Sequence, residues 1–192
     1  MTVTKADLFR SADRLDERAF ETIFHEHYPK VYAILFRLTG DRYEADDLAA
    51  DTFWRLWERP PAQDENLAGW LYRVATRLGY NTMRAGQRRE RYTAAAAAEV
   101  TVENRLENDP ANAAEQHIER QRVRAILRQM PLRDVQVLVL RHSGLSYKEI
   151  AAAIDVADGS VGTLLSRAET RFEALYRRGE KDDASQDVTP EK

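Results

Sequence analysis

GLSYKEIAAAIDVADGSVGTLLSRAETRF, residues 144–172, reads as two helical segments around a tight turn. Ser146 with Glu149 three residues later forms a capping box that opens the helix YKEIAAAI. A helix-turn-helix needs a small residue inside its first helix, a turn residue that tolerates left-handed dihedrals, and an apolar anchor in its second helix. Ala151, Asp155 and Val161 occupy these places. Aspartate tolerates the left-handed region better than most residues, though less well than glycine. The same pattern also suits two packed helices that never meet DNA, so taken alone it leaves both readings open. The second helix carries Gly162 and Leu164 in the part where a DNA reader needs positive charge.

Working outward, RDVQVLVLRHSG is a short, very apolar helix closed by Gly144. Before it, Ile118, Val123, Ile126, Leu127 and Met130 form one apolar stripe that Pro131 interrupts. Further upstream, AFETIFHEHYPKVYAILFRLTG spaces Phe20, Ile23, Phe24, Tyr28, Val31, Ile34, Leu35 and Leu38 at helical intervals, and Gly40 stops it. Asp41 and Glu44 then stand as N-cap and third helical residue, opening a helix to about Glu58 that Pro60 and Pro61 end. A third helix, ENLAGWLYRVATRLGYNTMRAGQRRER, follows.

Composition agrees. Of 192 residues, 43% are hydrophobic and 32% charged, with only 8 Gly and 6 Pro, too little punctuation for an all-β chain. The expected fold is all-α: two small helical domains joined by a linker, the second with the helix-turn-helix. The expected boundaries are an N-terminal extension 1–15, a first domain 16–92, a linker 93–115, a second domain 116–178 and a polar tail 179–192 without fixed structure.

The absence of cysteine removes disulfides and thiol catalysis and fits a reducing cytoplasm. The first twenty residues carry charges throughout, so neither a signal peptide nor a membrane span is expected there. Net charge is −3, but it is patchy: acid gathers in YEADDLAAD, and arginine in RAGQRRER and ERQRVRAILRQMPLR. Such alternation suits one basic and one acidic partner held together.

LSYKEIAAAIDVADGSVGTLLSRAE, with the preceding ILRQMPLRDVQVLVLRHSG, resembles the fourth conserved region of the extracytoplasmic-function (ECF) sigma factors of bacterial RNA polymerase. ADDLAADTFWRLWE and LAGWLYRVATRLGYNTMR resemble that family's second region, in the right order and at a suitable separation. The resemblance covers about Phe20 to Arg178. It implies an initiation factor whose first domain docks on core polymerase and opens the −10 element of promoter DNA, while the second reads the −35 element. An anti-sigma protein is the further partner it implies. The alternative is a sigma mimic or scaffold that binds an anti-sigma protein without reading DNA, and Gly162 with Leu164 supports it.

The residues fit the first expectation in detail. Asp47, Asp51 and Trp54 share one helix face at i, i+4, i+7 and suit docking on a basic surface of the polymerase. Trp70, Tyr72, Arg73, Arg77, Tyr80, Asn81 and Arg84 mix rings with donors, as strand opening requires, and Arg88 and Arg89 extend the positive charge. Trp70 and some of the other rings are expected in the core. Where the family usually has Asn and Asp, this chain has Arg77 and Asn81. The loop residues Gln63, Asp64, Glu65 and Asn66 have the groups to read a flipped base. In the second domain, Lys148 and Arg141 are placed for phosphates, and Ser160, Thr163, Leu164, Arg167 and Arg171 for the major groove. Family members commonly carry basic residues at the positions of Gly162 and Leu164, so the reader is expected to be weakened but present.

His25 and His27, two apart on one helix, face different ways and make a poor chelate. No phosphate loop, nucleophile elbow or paired carboxylate is present, so no enzyme activity, metal or cofactor is expected.

Overall fold

The computed structural model describes residues 15–62, 66–93 and 110–186, and within them the regular structure is entirely helical. α1 (Glu17–Thr39), α2 (Arg42–Glu58) and α3 (Leu67–Thr93) form an N-terminal module. α4 (Pro110–Leu127), α5 (Leu132–His142), α6 (Tyr147–Ile154) and α7 (Val161–Gln186) form a C-terminal one, with a single 3₁₀ turn, Asp158–Ser160, ahead of α7.

Local chemistry sets the helix ends. The Asp16 side chain accepts the Ala19 N–H and starts α1, and Gly40, at φ 75°, ends it in the left-handed conformation. A Cβ at Gly40 would also meet the Arg124 guanidinium, the flexible end of a side chain that can move aside. α1 continues through Pro29, whose missing N–H leaves the His25 carbonyl without its usual helical donor. Asp41 accepts the Glu44 N–H and starts α2. The full capping box appears at α6: Glu149 N–H donates to Ser146 Oγ, and Ser146 N–H donates back to Glu149. α6 ends at Asp155, whose φ of 57° and ψ of 63° make the left-handed turn of the helix-turn-helix.

Within the N-terminal module, Phe20, Phe24 and Tyr28 of α1 pack on Phe53 and Trp57 of α2, with Phe24 and Phe53 ring centres 4.8 Å apart and Phe20 edge-on to Trp57 at 5.2 Å. In the C-terminal module the middle of α5, Val135 to Leu140 with the polar Gln136 among them, is buried on every side. At its far end α4 meets α7: the Arg122 guanidinium lies 4.2 Å from the Tyr176 ring centre, and Tyr176 donates to Glu119 at 3.2 Å.

The two modules do not stand apart. Their buried side chains form one continuous core, in which α3 lies against α6 and α5. Gly69 makes this possible, because a Cβ there would sit 2.9 Å from the Ala152 backbone carbonyl. Arg73 donates from Nε to the Ala153 carbonyl at 2.9 Å and from Nη2 to the Ala152 carbonyl at 3.0 Å. It therefore neutralises the C-terminal end of α6, where carbonyls lack helical donors. Tyr80 donates to the Met130 carbonyl at 3.0 Å, Gln136 to Thr76 at 3.2 Å, and Lys30 pairs with Glu149 at 3.0 Å.

Three expectations about order and exposure differ from the structure. Ile118 is 65% exposed, so the buried stripe of α4 begins further along, at Ile126 and Leu127 with Val123 partly covered. Helix α4 starts at Pro110, inside the stretch expected as linker. Helix α7 continues past Gly179 to Gln186, where an irregular tail was expected; 187–192 lie outside the described residues.

Two groups at the seam titrate away from their ordinary ranges. His27, facing Tyr72, is pushed below 6.5 by burial, which outweighs the attraction of Glu26. For Glu149, burial favours the neutral acid, but hydrogen bonds from Ser146 and the Lys30 ammonium prevail and hold the carboxyl below 4.5. Both folded values are depressed, so the unfolded chain takes up protons first and stability falls as pH falls. The midpoint of thermal unfolding should drop between pH 7 and 5, where His27 must charge, and again below pH 4.5; His27→Gln should flatten the first drop. Asp155→Val should lower stability by about 1–2 kcal/mol in urea unfolding, because a β-branched residue cannot relax in the left-handed turn. Asp155→Gly should be neutral or stabilising by the same measurement.

Candidate polymerase and nucleic-acid interfaces

α2 turns one face inward and one outward. Ala45, Ala49, Phe53 and Leu56 are buried, with Leu48 partly covered. On the opposite side Asp47 is exposed, Asp51 half-buried and Trp54 58% exposed, so the expected docking triad forms a surface stripe. Asp51 accepts from Arg55 at 3.1 Å, a one-turn pair at the surface. Sequence reasoning missed Tyr43, which is 85% exposed and stands four residues before Asp47, extending the stripe to three turns. The i−4 spacing was the available signal. Trp57 is also partly exposed, but its ring is committed to Phe20.

α3 divides its expected strand contacts into two sets. Arg77, Asn81 and Arg84 are exposed, while Arg84 also donates to the Tyr80 hydroxyl at 3.1 Å. Arg73 is half-buried and spent on the α6 carbonyls. Tyr72 and Tyr80 are buried and Trp70 partly so; burial pushes the Tyr72 hydroxyl up to about 12. These rings are core, not stacking platforms. Arg88 and Arg89 lie on α3, but their side chains fall outside the described residues, as do Gln63, Asp64 and Glu65. Asn66 is described and exposed, and its side-chain oxygen accepts the Gly69 N–H at 2.9 Å, so this carbonyl helps to start α3.

The helix-turn-helix presents Lys148, Ser160, Thr163 and Arg167 to solvent, with Gly162 and Leu164 half-covered. Gly162 has only the Tyr147 ring near it, 3.7 Å from where a Cβ would be, so a longer side chain fits there. Arg171 is exposed but ion-paired with Asp134 of α5, which uses part of the charge that the sequence assigned to DNA. Arg141 lies over the Tyr147 ring at 5.5 Å and is exposed. Lys148, Arg167 and the hydroxyls of Ser160 and Thr163 thus remain as the exposed polar set of the helix-turn-helix.

Elsewhere, a groove of about 680 Å³ opens where α1, α4, α5 and α7 meet, with Phe36, Val123, Leu127, Leu138 and Phe172 on its walls and Arg37, Arg120 and Arg124 beside them. His27 rests against Tyr72, 3.0 Å from its hydroxyl, and not beside His25. Among the described residues no helix is long and apolar enough to cross a membrane, and no cluster of three His, Cys, Asp or Glu side chains could hold a metal ion.

Residues 23–89 match the family description Sigma-70 region 2, and residues 120–172 match Sigma-70, region 4. The chain is 29% identical over 166 residues to the ECF RNA polymerase sigma factor SigE of Mycolicibacterium smegmatis, covering 84% of this chain and 63% of that one. It is 25% identical over 170 residues to SigM of Bacillus subtilis, covering 85% of this chain and 98% of the relative. Among solved structures, the sigma factor RpoE in complex with the anti-sigma factor NepR from Bartonella quintana shares the fold at TM-score 0.53 and 21% identity, over 83% of this chain and 98% of that one. CnrH in complex with the cytosolic domain of CnrY does so at TM-score 0.54 and 19% identity, over 85% and 90%. With both sigma-70 regions matched in order, on an α1–α3 module followed by a helix-turn-helix, the chain belongs to the ECF sigma factors of bacterial RNA polymerase.

Proposed function

We propose that this chain directs promoter-specific transcription initiation as a sigma subunit: it docks on core polymerase through α2, opens the −10 element with α3 and reads the −35 element with the helix-turn-helix. The observation that carries this reading is the pairing of an outward acidic and aromatic stripe on α2 with an outward helix-turn-helix face, on the two matched regions. Division of labour follows from residue chemistry. Asp47, Asp51 and Trp54, joined by Tyr43, give a face for a basic partner; Arg77, Asn81 and Arg84 give donors for a displaced strand. Lys148 takes a phosphate, Ser160 and Thr163 take base edges, Leu164 meets a thymine methyl, and Arg167 adds a charge-assisted contact.

The chain supplies recognition and positioning, the polymerase supplies the chemistry, and the chain itself is no enzyme. The boundaries we assign are 16–92 for the first functional unit and 116–178 for the second. An anti-sigma protein is the further partner we assign, supported by the two solved chains of the same fold, one held with an anti-sigma factor and the other with a cytosolic domain. The apolar groove among α1, α4, α5 and α7 touches both modules, as the contact of such a partner would. Its place of action is the cytoplasm, with the polymerase.

Run-off transcription with purified core polymerase tests the whole reading: promoter-specific transcripts are expected, and none would leave the sigma-mimic alternative. Asp47→Arg with Asp51→Arg should weaken holoenzyme assembly at least tenfold in a titration with core polymerase while helix content stays constant. The lost Asp51–Arg55 pair is worth only about 0.3–0.5 kcal/mol, so misfolding would not explain that result. Arg167→Ala should cost about 1–3 kcal/mol of −35 discrimination and lower run-off yield. Gly162→Lys should raise DNA affinity with little gain in specificity, and its salt dependence should steepen by about one unit of slope.

A further inference from the structure

We infer that the groove where α1, α4, α5 and α7 meet binds a guanine nucleotide, holding both its base and its phosphates. The inference goes beyond the promoter-reading function above and does not depend on it. At about 680 Å³ the groove falls in the range of small-molecule sites, roughly 300–1,000 Å³. Leu127 and Leu138 give it a buried apolar floor, and the rings of Phe36 and Phe172 stand on its walls. Each ring is held by a stacked neighbour one turn away on its own helix. Phe36 lies against Tyr32 and Phe172 against Tyr176, with ring centres 6.1 Å apart in both pairs. Fixed rings beside an apolar slot suit the flat face of a base.

The charges in the groove specify the rest of the ligand. Arg37 and Arg120 are exposed and Arg124 is half-buried, and all three line the groove. Arg37 donates to the Ala33 carbonyl at 3.2 Å and Arg120 to the Gln116 side chain at 3.4 Å. Among the described residues no carboxylate lies within ion-pair distance of any of the three. Burial, then the like charges of Arg128 and Arg120, pull the Arg124 guanidinium below its ordinary range, so an anion here relieves crowded positive charge. Glu169 is exposed in the same groove and, among the described residues, has no cation at ion-pair distance either.

Cations and a carboxylate that share a groove without pairing call for a ligand with an anionic end and a donating end. Guanidinium forks receive phosphate oxygens. A carboxylate only accepts, and guanine offers it two N–H donors side by side, at N1 and N2, whereas adenine sets its single amino group beside an acceptor. Glu119, the other carboxylate on the wall, already accepts from the Tyr176 hydroxyl at 3.2 Å, which leaves the base edge to Glu169. Three guanidiniums match a di- or triphosphate better than a monophosphate. A nucleotide seated there fills the surface assigned above to an anti-sigma partner, so the two exclude each other.

Equilibrium dialysis of the full chain against GTP tests the site, with ATP, inorganic triphosphate and guanosine as separate probes. GTP should bind saturably at one per chain and about tenfold tighter than each of the others, the worth of one charge-assisted hydrogen bond. Arg120→Glu, a change at an exposed position, should weaken GTP by about tenfold or more. Glu169→Gln should erase the preference for GTP over ATP. Val123→Trp fills the groove and should abolish binding; if it loses helix content, Arg120→Glu decides. No saturable binding at millimolar GTP would overturn the inference. Equal affinity for GTP, ATP and inorganic triphosphate would do so as well, since that is attraction of anions without a base site. GTP binding that survives Arg120→Glu unchanged lies elsewhere on the chain and also removes it. Because dialysis uses neither polymerase nor DNA, its outcome is separate from that of run-off transcription.

Discussion

The contact between Gly69 of α3 and the Ala152 backbone of α6 is the constraint on which the rest of the molecule depends. Without it, the N-terminal three helices and the C-terminal four would each have to cover their own apolar surface, and short helical units bury too little surface to do so comfortably. With it, Leu71, Tyr72 and Ala75 of α3 and Ile150, Ala151 and Ala153 of α6 enter one core. The polar groups that this burial traps are then matched in pairs: Thr76 with Gln136, Tyr80 with the Met130 carbonyl, Arg73 with the α6 carbonyls. A buried donor left unmatched costs about 1–3 kcal/mol, so these pairs determine which register of α3 on α6 is tolerated.

What sequence reading recovered was what local chemistry decides. Asp41 and Ser146 cap helices because a side-chain oxygen within three residues of a free N–H has little choice, and Gly40 and Asp155 take the left-handed turns that end α1 and α6. The inward face of α2 follows from helical spacing alone. The contacts across the seam were not legible. An arginine offers the same donors to a carbonyl as to a phosphate, so Arg73 looked like a strand contact, and nothing in the spacing said which of the rings Trp70, Tyr72 and Tyr80 belonged to the core. Only the neighbour across the seam decides between those fates.

Other differences have the same origin. Ile118 fits the stripe of α4 by spacing, yet among the described residues it stays 65% exposed. Asn66 has the groups to read a base, and its side-chain oxygen also helps to start α3. Arg171 points its charge at Asp134, a residue 37 positions earlier that no local pattern connects to it. Tyr43 is the opposite case: its spacing from Asp47 was visible, and it was overlooked because a lone tyrosine next to a helix start carries no motif.

α7 is a rod. At 1.5 Å per residue its 26 residues extend about 39 Å. Thr163 and Arg167 ride on its first turns, while Tyr176, about 20 Å along the helix from Thr163, is fastened to α4 by Arg122 and Glu119. A tilt of about 5° about Tyr176 moves Val161, about 22 Å away, by about 2 Å, enough to make or break a hydrogen bond. The position of the first turns of α7 is therefore set in part from a contact well away from them, and whatever presses on α4 turns a lever.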